Sequence, residues 1–311
     1  MFHSDALYSA VCSAFARLDG LEEWLAATAA LDSPPAVYFT SAFPFLDETL
    51  FAPPPMTLWP PASASSKVRW RSASFLPVNL LPSLLAGEAL SEDKWVVDPG
   101  SGCLLALDRR GEAVGPFRLL ARQQAAVDRL SGTAVLPRRV VCQEFAPGAG
   151  LWFAALFRDE EARSLWSPRL QSAFRWLADS GFGGLRSAGF GRSAEPEFTP
   201  TTWPYPLLGQ LEAPAVSHSW WLLSLFAPAA GESIDWHAGA YSTLSRSGRV
   251  ESPAAWGLEK KSLLMLREGS VVHSSSAPAG AAFNVAPAGC EHPVWRAAFA
   301  AAIPLPSREA V

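Results

Sequence analysis

The chain has 311 residues, of which 49% are hydrophobic, so it can fill one large or two ordinary cores. Its net charge of −4 counts against a free-standing nucleic-acid-binding protein, because phosphate contacts need an excess of lysine and arginine. No apolar run reaches the roughly 20 residues of a membrane-spanning helix, and the first ten residues lack the features of a secretory signal. A soluble cytoplasmic protein is therefore expected.

The cysteine and histidine patterns predict no metal or cofactor site. The four cysteines lack C-x-x-C spacing, which predicts reduced thiols and neither a disulfide framework nor a zinc site. The five histidines lack H-x-x-x-H spacing. The 13 tryptophans stand against only 17% charged residues, which leaves more apolar surface per charge than a lone monomer usually tolerates and favours permanent partners.

The N-terminal part predicts a helix, a strand and a loop. Apolar residues recur at helical spacing over residues 3–18, where Ser4 or Asp5 can cap the first turn. Residues 36–46 favour β-structure and predict one strand, which ends at Pro44. Residues 49–66 contain too many prolines for regular structure and predict a long loop, of a kind that is more often functional or partner-covered than decorative.

Two hairpins are predicted in the middle of the chain. The first covers residues 95–107, with turn residues at 98–102. The second covers residues 132–157, where two apolar runs are joined by A-P-G-A-G. Residues 167–180 then predict a helix, with Ser167 as N-cap and Pro168 in the favoured first position.

The last third of the chain predicts a second domain that is rich in strands. A proline-rich stretch places the boundary near Gln210, which gives domains of residues 1–209 and 210–311. The predicted strands cover residues 219–228, 261–272 and 295–305, with a further segment at 238–250.

A glycine-rich segment, S-G-F-G-G-L-R-S-A-G-F-G-R-S, follows the predicted helix at residues 180–193. A dinucleotide-binding fingerprint needs its glycines between a strand and the next helix, whereas Gly181 and Gly183 follow a helix and Arg186 takes the third glycine's place. The G-K-[ST] of a Walker A loop is also absent from the segment. Both nucleotide-binding interpretations therefore fail.

Two interpretations of the glycine-rich segment remain. Its glycines can expose backbone N–H groups as an anion-binding concavity, with Arg186 and Arg192 on phosphate oxygens and Phe182 or Phe190 stacked on a base. Alternatively, it is an ordinary turn whose arginines face water. The residues alone leave both open.

Two carboxylates elsewhere raise the question of catalysis. Asp235 precedes His237 by two residues, so a strand would put both on one face, although an exposed loop is the simpler interpretation. Asp128 stands beside Arg129, and we expect it to accept hydrogen bonds from its own loop and not to catalyse a reaction.

The helix followed by G-F-G-G-L-R-S-A-G-F-G-R resembles the G-rich loop of the RAMP superfamily of CRISPR proteins. F-H-S-D-A-L-Y-S-A resembles the first helix of the superfamily, and V-D-R-L-S-G-T-A (residues 127–134) resembles its V/I-D-R-x-T-G-x-A segment. The terminal H-P-V-W-R-A-A-F-A-A-A-I-P-L and Y-S-T-L-S-R-S-G-R-V are similar to one branch, subunit four of the type III-A (Csm) effector complex. The resemblance covers nearly the whole chain, with little of it in residues 53–118.

The resemblance implies an α+β protein of two ferredoxin-like (RRM-like) domains with insertions. It implies a non-catalytic subunit that binds the 5′ repeat-derived handle of the crRNA. The expected protein partners are the large polymerase-like subunit and the backbone RAMP subunit. The resemblance implies no cofactor, no metal and no membrane contact, and gives no ground to predict DNA binding.

The RNA-binding residues implied by the resemblance lie in three places. The G-rich loop carries over onto Gly181, Gly183, Gly184, Arg186, Ser187, Gly189, Phe190, Gly191 and Arg192. His3 and Ser4 are added because the first helix should pack near this loop. Arg246 and Arg249 are added because L-S-R-S-G-R resembles a hairpin turn near it.

One departure from the family concerns the first strand. Family members open with a strand before the H-S-D helix, whereas this sequence begins two residues ahead of that helix. A ferredoxin-like sheet without this strand would leave backbone groups unpaired, at about 1–3 kcal/mol for each buried group. We therefore expect the gap to be filled by another segment, left partly open, or closed by residues upstream.

Two alternative functions remain. A metal-independent endoribonuclease that processes CRISPR repeat RNA would need a His, Tyr or Lys within reach of a 2′-hydroxyl beside the loop, and His3 and Tyr8 are the nearby candidates. The other alternative is a protein-interaction scaffold without RNA contact.

Overall fold

The protein is an α+β structure. The computed structural model describes residues 2–29, 34–61, 69–107, 113–204, 217–252 and 255–306. Its helices are α1 (Ser4–Phe15), α2 (Leu21–Thr28), α3 (Leu81–Leu85) and α4 (Glu160–Ser180). Its strands are β1 (Val37–Phe39), β2 (Phe43–Leu46), β3 (Thr49–Ala52), β4 (Leu76–Pro77), β5 (Trp95–Val97), β6 (Leu104–Ala106), β7 (Phe117–Val127), β8 (Ala134–Phe145), β9 (Ala149–Trp152), β10 (Ala155–Phe157), β11 (Ser219–Leu222), β12 (Asp235–Ala240), β13 (Thr243–Arg246), β14 (Leu263–Leu266), β15 (Val271–His273), β16 (Gly280–Asn284), β17 (Trp295–Phe299) and β18 (Ala302–Leu305). None of the described helices is long and apolar enough to cross a membrane.

The chain forms two compact units. The larger one consists of residues 1–42, 55–58 and 153–311, and the smaller one of residues 43–54 and 59–152. The predicted boundary near Gln210 lies outside the described residues. Whether the larger unit contains two ferredoxin-like domains stays a prediction.

An aromatic cluster forms the helical part of the core of the larger unit. Trp24 is fully buried, and its ring centroid lies 5.2 Å from that of Phe15 and 5.3 Å from that of Trp166. Phe39 of β1 stacks on Trp24 at 6.2 Å and meets Phe174 of α4 at 6.1 Å. Because these rings come from α1, α2, β1 and α4, their burial holds the three helices against the β1–β10 pair.

The C-terminal strands of the larger unit form a four-stranded antiparallel sheet and two antiparallel pairs. The sheet has the order β12-β15-β11-β18, and the pairs are β13-β14 and β16-β17. Leu222, Phe226 and Val272 are almost completely buried beneath the sheet.

The smaller unit contains a four-stranded antiparallel sheet of order β4-β3-β2-β9 and the hairpins β5-β6 and β7-β8. The predicted first hairpin is confirmed, since Trp95–Val97 pairs with Leu104–Ala106. Asp128, at the tip of β7-β8, accepts the N–H groups of Leu130 (2.8 Å) and Ser131 (3.4 Å). These hydrogen bonds lower the pKa of its carboxyl, the Leu130 bond most, and confirm the structural role expected for this residue.

The start of α1 differs from the prediction. The helix itself is confirmed, but His3 takes the N-cap position without a side-chain capping bond. Ser4 and Asp5 lie in the first turn, and neither caps it. Their side chains bind residues distant in sequence, which outweighs their local capping preference.

Residues 36–46 form two strands, so the prediction of one strand was wrong. Thr40 and Ser41 separate β1 from β2, and both are fully buried. The Thr40 N–H donates to the Ala154 carbonyl at 3.0 Å, whereas the Ser41 N–H donates to the Leu223 carbonyl at 2.8 Å. The backbone hydrogen-bond partner thus changes between Thr40 and Ser41, which ends β1.

The predicted loop at 49–66 begins with strand β3 instead, and the part from residue 62 lies outside the described residues.

The strands β8 and β9 of the second predicted hairpin exist but do not pair with each other. Strand β8 pairs with β7, from Phe117 opposite Phe145 to Val127 opposite Ala134, and β9 pairs with β2. The apolar runs were correctly assigned to strands, but the pattern along each run carries no information about its neighbour.

Helix α4 starts at Glu160, eight residues before Pro168, the predicted first helical residue. Its N-cap is Asp159, whose carboxylate accepts the Ala162 N–H at 2.7 Å. Pro168 lies inside the helix. The predicted end is confirmed, because Gly181 directly follows Ser180.

The C-terminal strand predictions were right in kind but too long. Residues 261–272 contain β14 and β15, residues 295–305 contain β17 and β18, and β16 was not predicted. Near the start of the chain, Phe2 forms an isolated antiparallel bridge with Ala42. The four cysteines are free, and burial raises the pKa of Cys12 and Cys103 to about 12, so neither is a reactive thiolate.

Candidate nucleic-acid interface

The G-rich loop begins where α4 ends. The Gly181 N–H donates to the Leu177 carbonyl at 2.9 Å, and Gly181 has a φ of +92°. A Cβ atom at this position would lie 2.6 Å from the Phe190 carbonyl oxygen. The helix can therefore turn into the loop here because the residue is glycine.

The loop closes on itself at its base. The Phe182 N–H donates to the Gly191 carbonyl at 2.9 Å, and the Ser193 N–H donates to the Ala178 carbonyl at 3.2 Å. Gly191 has a φ of +77°, and a Cβ atom on it would lie 1.9 Å from the Phe182 carbonyl oxygen. The crossing of the two loop ends requires glycine at this position.

The tip of the loop presents a single turn of 3₁₀ helix at Arg186–Ala188. Leu185 before it and Gly189 after it both have left-handed backbone, with φ of +59° and +82°. Ser187 and Gly184 are exposed, and Phe190 is half-buried. The loop is thus a structured protrusion and not part of the core.

Both arginines of the loop are accessible to a ligand. The Arg186 side chain is 36% exposed, and its Nη2 lies 3.6 Å from Oε2 of Glu251. Arg192 is exposed and has no hydrogen-bond or ion-pair partner in the part of the chain that the structure describes. An exposed ion pair at 3.6 Å is weak, so a phosphate can replace Glu251.

The loop is anchored to the start of α1 through two aromatic rings. The centroids of Phe2 and Phe182 lie 4.2 Å apart, with an interplanar angle of 62°. Phe182 is therefore already engaged and not free to stack on a base. A Cβ atom on Gly183 would come within 3.0 Å of the Phe2 ring, so a glycine is also favoured there.

His3 lies next to this anchor, in contact with a buried carboxylate. Its Nδ1 is 2.8 Å from Oε1 of Glu268, whose side chain is 1% exposed. Ser41 Oγ donates to the same oxygen. The second oxygen of Glu268 has no hydrogen-bond partner among the described residues. The imidazole is 18% exposed, so its free edge can reach a ligand.

Ser4 is buried, and its polar groups are used within the protein. Its N–H donates to Ser41 Oγ at 2.8 Å, and its Oγ accepts the Leu225 N–H at 3.0 Å. These bonds fasten α1 to the C-terminal strands. Ser4 thus positions the site, and its side chain has no donor or acceptor turned to solvent in this arrangement.

Arg246 is held by a buried carboxylate as well. Its Nε and Nη2 donate to the two oxygens of Asp5 at 2.9 and 3.0 Å, and Arg296 Nη1 donates to the same carboxylate. Burial lowers the pKa of Arg296, and burial followed by the charge of Arg296 lowers the pKa of Lys260. The Asp5 carboxylate is therefore shared by two arginines.

A hairpin extension of β13 and β14 carries Arg249. We call the described residues 248–252 and 255–260 the tip hairpin. The backbones of Arg249 and Glu259 form an isolated antiparallel β-bridge. The Arg249 side chain is exposed, and its Nη1 donates to the Gly257 carbonyl at 2.7 Å. The remaining N–H groups of its guanidinium are available to a ligand.

The sequence-predicted RNA-binding residues thus belong to three connected elements of the larger unit. The G-rich loop contacts α1 through Phe2 and the tip hairpin through Glu251. Arg192 and Arg249 are exposed, and the Arg186 side chain is 36% exposed. Ser4 and Arg246 are instead engaged in contacts that hold these elements in place.

Several residues of this region were not found from the sequence. Glu268 contacts His3, 265 residues away in sequence, and Arg296 binds Asp5, 291 residues away. Such contacts leave no local signal. Asp235 and His237 are exposed, as the simpler interpretation predicted, but they lie in β12 and not in a loop. The Asp235 carboxylate accepts the main-chain N–H of His237 at 3.0 Å. Among the described residues, no cluster of His, Cys, Asp and Glu could hold a metal ion.

The C-terminal part of the chain matches a known protein family. Residues 216–305 match the family model described as the CRISPR Csm4 C-terminal domain. A comparison with curated proteins found no match in sequence.

The fold is similar to that of solved CRISPR proteins. A chain in the Csm1-Csm4 cassette in complex with pppApA is 16% identical, with a TM-score of 0.61, over 100% of this chain and 94% of that chain. A chain in the Csm3-Csm4 subcomplex of the type III-A CRISPR-Cas interference complex is 14% identical, with a TM-score of 0.64, over 95% of this chain and 93% of that chain. The motif resemblance, the family match and the fold agree. Residues 216–305 thus match the Csm4 C-terminal domain, and the fold of the chain is similar to that of chains in solved Csm1-Csm4 and Csm3-Csm4 complexes.

Proposed function

We propose that this Csm4-like chain is a non-catalytic subunit of a type III-A CRISPR effector complex that binds the 5′ repeat-derived handle of the crRNA. The main support is the G-rich loop, whose glycines fold its backbone into an exposed protrusion that carries Arg186 and Arg192. Guanidinium groups on a fixed backbone suit phosphate oxygens. The net charge of −4 restricts RNA binding to such a local patch.

The proposed protein partners are the large polymerase-like subunit and the backbone RAMP subunit. The similar solved chains come from a Csm1-Csm4 cassette and a Csm3-Csm4 subcomplex, which supports docking to counterparts of these two subunits. Co-purification of the chain with both subunits tests this part of the proposal.

The RNA-binding role predicts the effect of removing both loop arginines. Arg186→Ala with Arg192→Ala should weaken binding of crRNA roughly 10-fold to 100-fold, because two charge-assisted hydrogen bonds are lost. The slope of log K against log salt should become shallower by about 1.4, which is 0.7 for each phosphate of a single strand. Affinity measured across a salt series checks both values.

A matched control removes two arginines at the other end of α4. Arg158 and Arg163 are half-exposed and form surface ion pairs with Asp159 and Glu160. Arg158→Ala with Arg163→Ala changes the net charge equally and should leave RNA affinity almost unchanged. Equal losses in both double variants would mean that RNA responds to net charge alone and would overturn the role of the loop.

One contact favours a metal-independent endoribonuclease as a second candidate function. The Glu268 carboxylate lies 2.8 Å from Nδ1 of His3 and so orients the imidazole, and an oriented imidazole is what a general acid or base requires. Tyr8, the other sequence candidate, is buried with its hydroxyl 2.9 Å from Thr28 Oγ1, and burial raises its pKa. His3 therefore has no tyrosine partner for the second proton transfer.

Incubation of the purified chain with CRISPR repeat RNA distinguishes the two functions. We expect no specific cleavage, and we expect His3→Ala to leave the RNA products unchanged. Specific cleavage that disappears in both His3→Ala and Glu268→Gln would establish the enzyme and refute the non-catalytic role. Residual cleavage equal in all three proteins would identify a contaminating nuclease.

A further inference from the structure

We propose that Trp256, on the tip hairpin, is a stacking platform for a nucleobase of single-stranded RNA. This inference rests on the proposed RNA-binding function and adds a residue that the family resemblance did not supply. The indole is 73% exposed, against 41% for Trp236, the next most exposed tryptophan of the described residues. A single exposed apolar side chain needs no explanation by itself, so its surroundings carry the inference.

The backbone beneath the indole is fixed. The Val250 N–H donates to the Leu258 carbonyl and the Gly257 N–H donates to the Val250 carbonyl, both at 2.9 Å. Val250 and Ala255, next to Trp256 in the hairpin, are buried with 3% and 4% exposure. The hairpin thus has an anchored inner face and presents Trp256 on its outer face.

A side-chain contact anchors the hairpin further. Ser252 Oγ lies 2.6 Å from Nε2 of His292, and Nδ1 of that histidine lies 3.0 Å from the Pro293 carbonyl. A carbonyl can only accept, so Nδ1 carries the proton and Nε2 accepts from Ser252. A stacking platform requires such rigidity, because an aromatic side chain on a mobile loop loses more entropy when it binds.

Two guanidinium groups contact the tip hairpin that carries the indole. Arg249 donates to the carbonyl of Gly257, the residue after Trp256. Arg186 of the G-rich loop reaches Glu251, five residues before Trp256. Exposed aromatic rings next to phosphate-binding guanidinium groups are the common arrangement for single-stranded nucleic acids.

A base fits this surface better than a protein partner does. In the tip hairpin, the exposed large apolar side chains among the described residues are Trp256 and Leu258, the latter 43% exposed. Two such residues are few beside the roughly 20–30 residues on each side of a stable protein interface. Of the two aromatic residues predicted to stack on a base, Phe182 contacts Phe2 and Phe190 is half-buried, so Trp256 is the more accessible ring.

The test separates base stacking from phosphate binding. The full-length chain is titrated with a labelled single-stranded RNA of about eight nucleotides, and with an abasic strand of the same length. Trp256→Ala should weaken binding of the base-containing strand about 5-fold to 150-fold, the range for one stacked base, and leave the abasic strand unaffected. Trp256→Phe should retain most of the affinity, and Trp236→Ala, with an exposed indole on β12, serves as the matched control.

The outcomes distinguish this inference from the proposed function. Loss of affinity for both strands in the Arg186→Ala, Arg192→Ala variant, with no loss in Trp256→Ala, would keep the RNA-binding function and overturn the stacking role. An equal loss of affinity for both strands in Trp256→Ala would also overturn the stacking role. If Trp256→Ala leaves RNA binding unchanged but loses the co-purifying subunits, Trp256 contacts a protein, and the stacking role is overturned as well. Thermal unfolding of each variant verifies that the exposed substitution leaves the fold intact.

Discussion

At the scale of single residues, glycines determine the shape of the G-rich loop in three different ways. Gly191 has left-handed backbone and no room for a Cβ atom. Gly189 has a φ of +82° but open space around it, and Gly184 has open space and no left-handed φ. The sequence motif treats these glycines alike, whereas the packing shows that Gly191 depends most on having no side chain.

Gly191→Ala should therefore weaken RNA binding although it removes no cationic group. The left-handed backbone alone costs a non-glycine residue about 1–2 kcal/mol, and the contact with the Phe182 backbone forces the loop ends apart. We expect Gly189→Ala to have a smaller effect and Gly184→Ala almost none. Affinity for crRNA and proteolysis within the loop check this order. Equal affinities for all three variants would mean that the closed loop is not needed for binding.

At the scale of elements, the local sequence patterns predicted helices and strands correctly. They did not predict where each element begins or which strands pair. The helical spacing of apolar residues predicted α1, and Gly181 predicted the end of α4. Ser-Pro at residues 167 and 168 imitates a helix start, yet the helix continues through it because α4 already begins at Asp159 and packs on α1 through Trp166 and Phe15. The prediction of strand pairing was wrong for β8 and β9, which are adjacent in sequence but pair with different strands. Tertiary packing decides such choices, and a single sequence does not contain it.

The same contrast holds for the candidate site. The loop motif identified Arg186 and Arg192, which the structure exposes, because the motif is continuous in sequence. Arg246 has the same side chain and was assigned the same role, but it binds Asp5. A discontinuous partner such as Asp5 decides whether an arginine faces a ligand or the interior, and no local pattern reveals it.

At the scale of the whole molecule, the two ends of the chain meet in the larger unit. Asp5 of α1 binds Arg246 of β13 and Arg296 of β17, and the Asp5 and Arg296 side chains are 2% and 8% exposed. His3 binds Glu268 between β14 and β15. The N-terminal helix that anchors the G-rich loop is thus itself anchored to the C-terminal strands by buried charges, so the stability of these charges bears on the geometry of the proposed RNA site.

Removal of the Asp5 carboxylate should destabilise the protein strongly. Asp5→Ala leaves Arg296 buried without its counter-charge, which costs about 3–5 kcal/mol, whereas Arg246, at 27% exposure, can turn to solvent. Replacing both partners, as in Asp5→Leu with Arg296→Met, should recover most of this loss because no buried charge remains unpaired. The exposed pair Arg163–Glu160 gives the control, and Glu160→Ala should change the free energy of unfolding by less than about 1 kcal/mol. Urea unfolding of these variants measures the coupling. If the double variant is less stable than Asp5→Ala, the buried ion pair is not what holds α1 to the C-terminal strands.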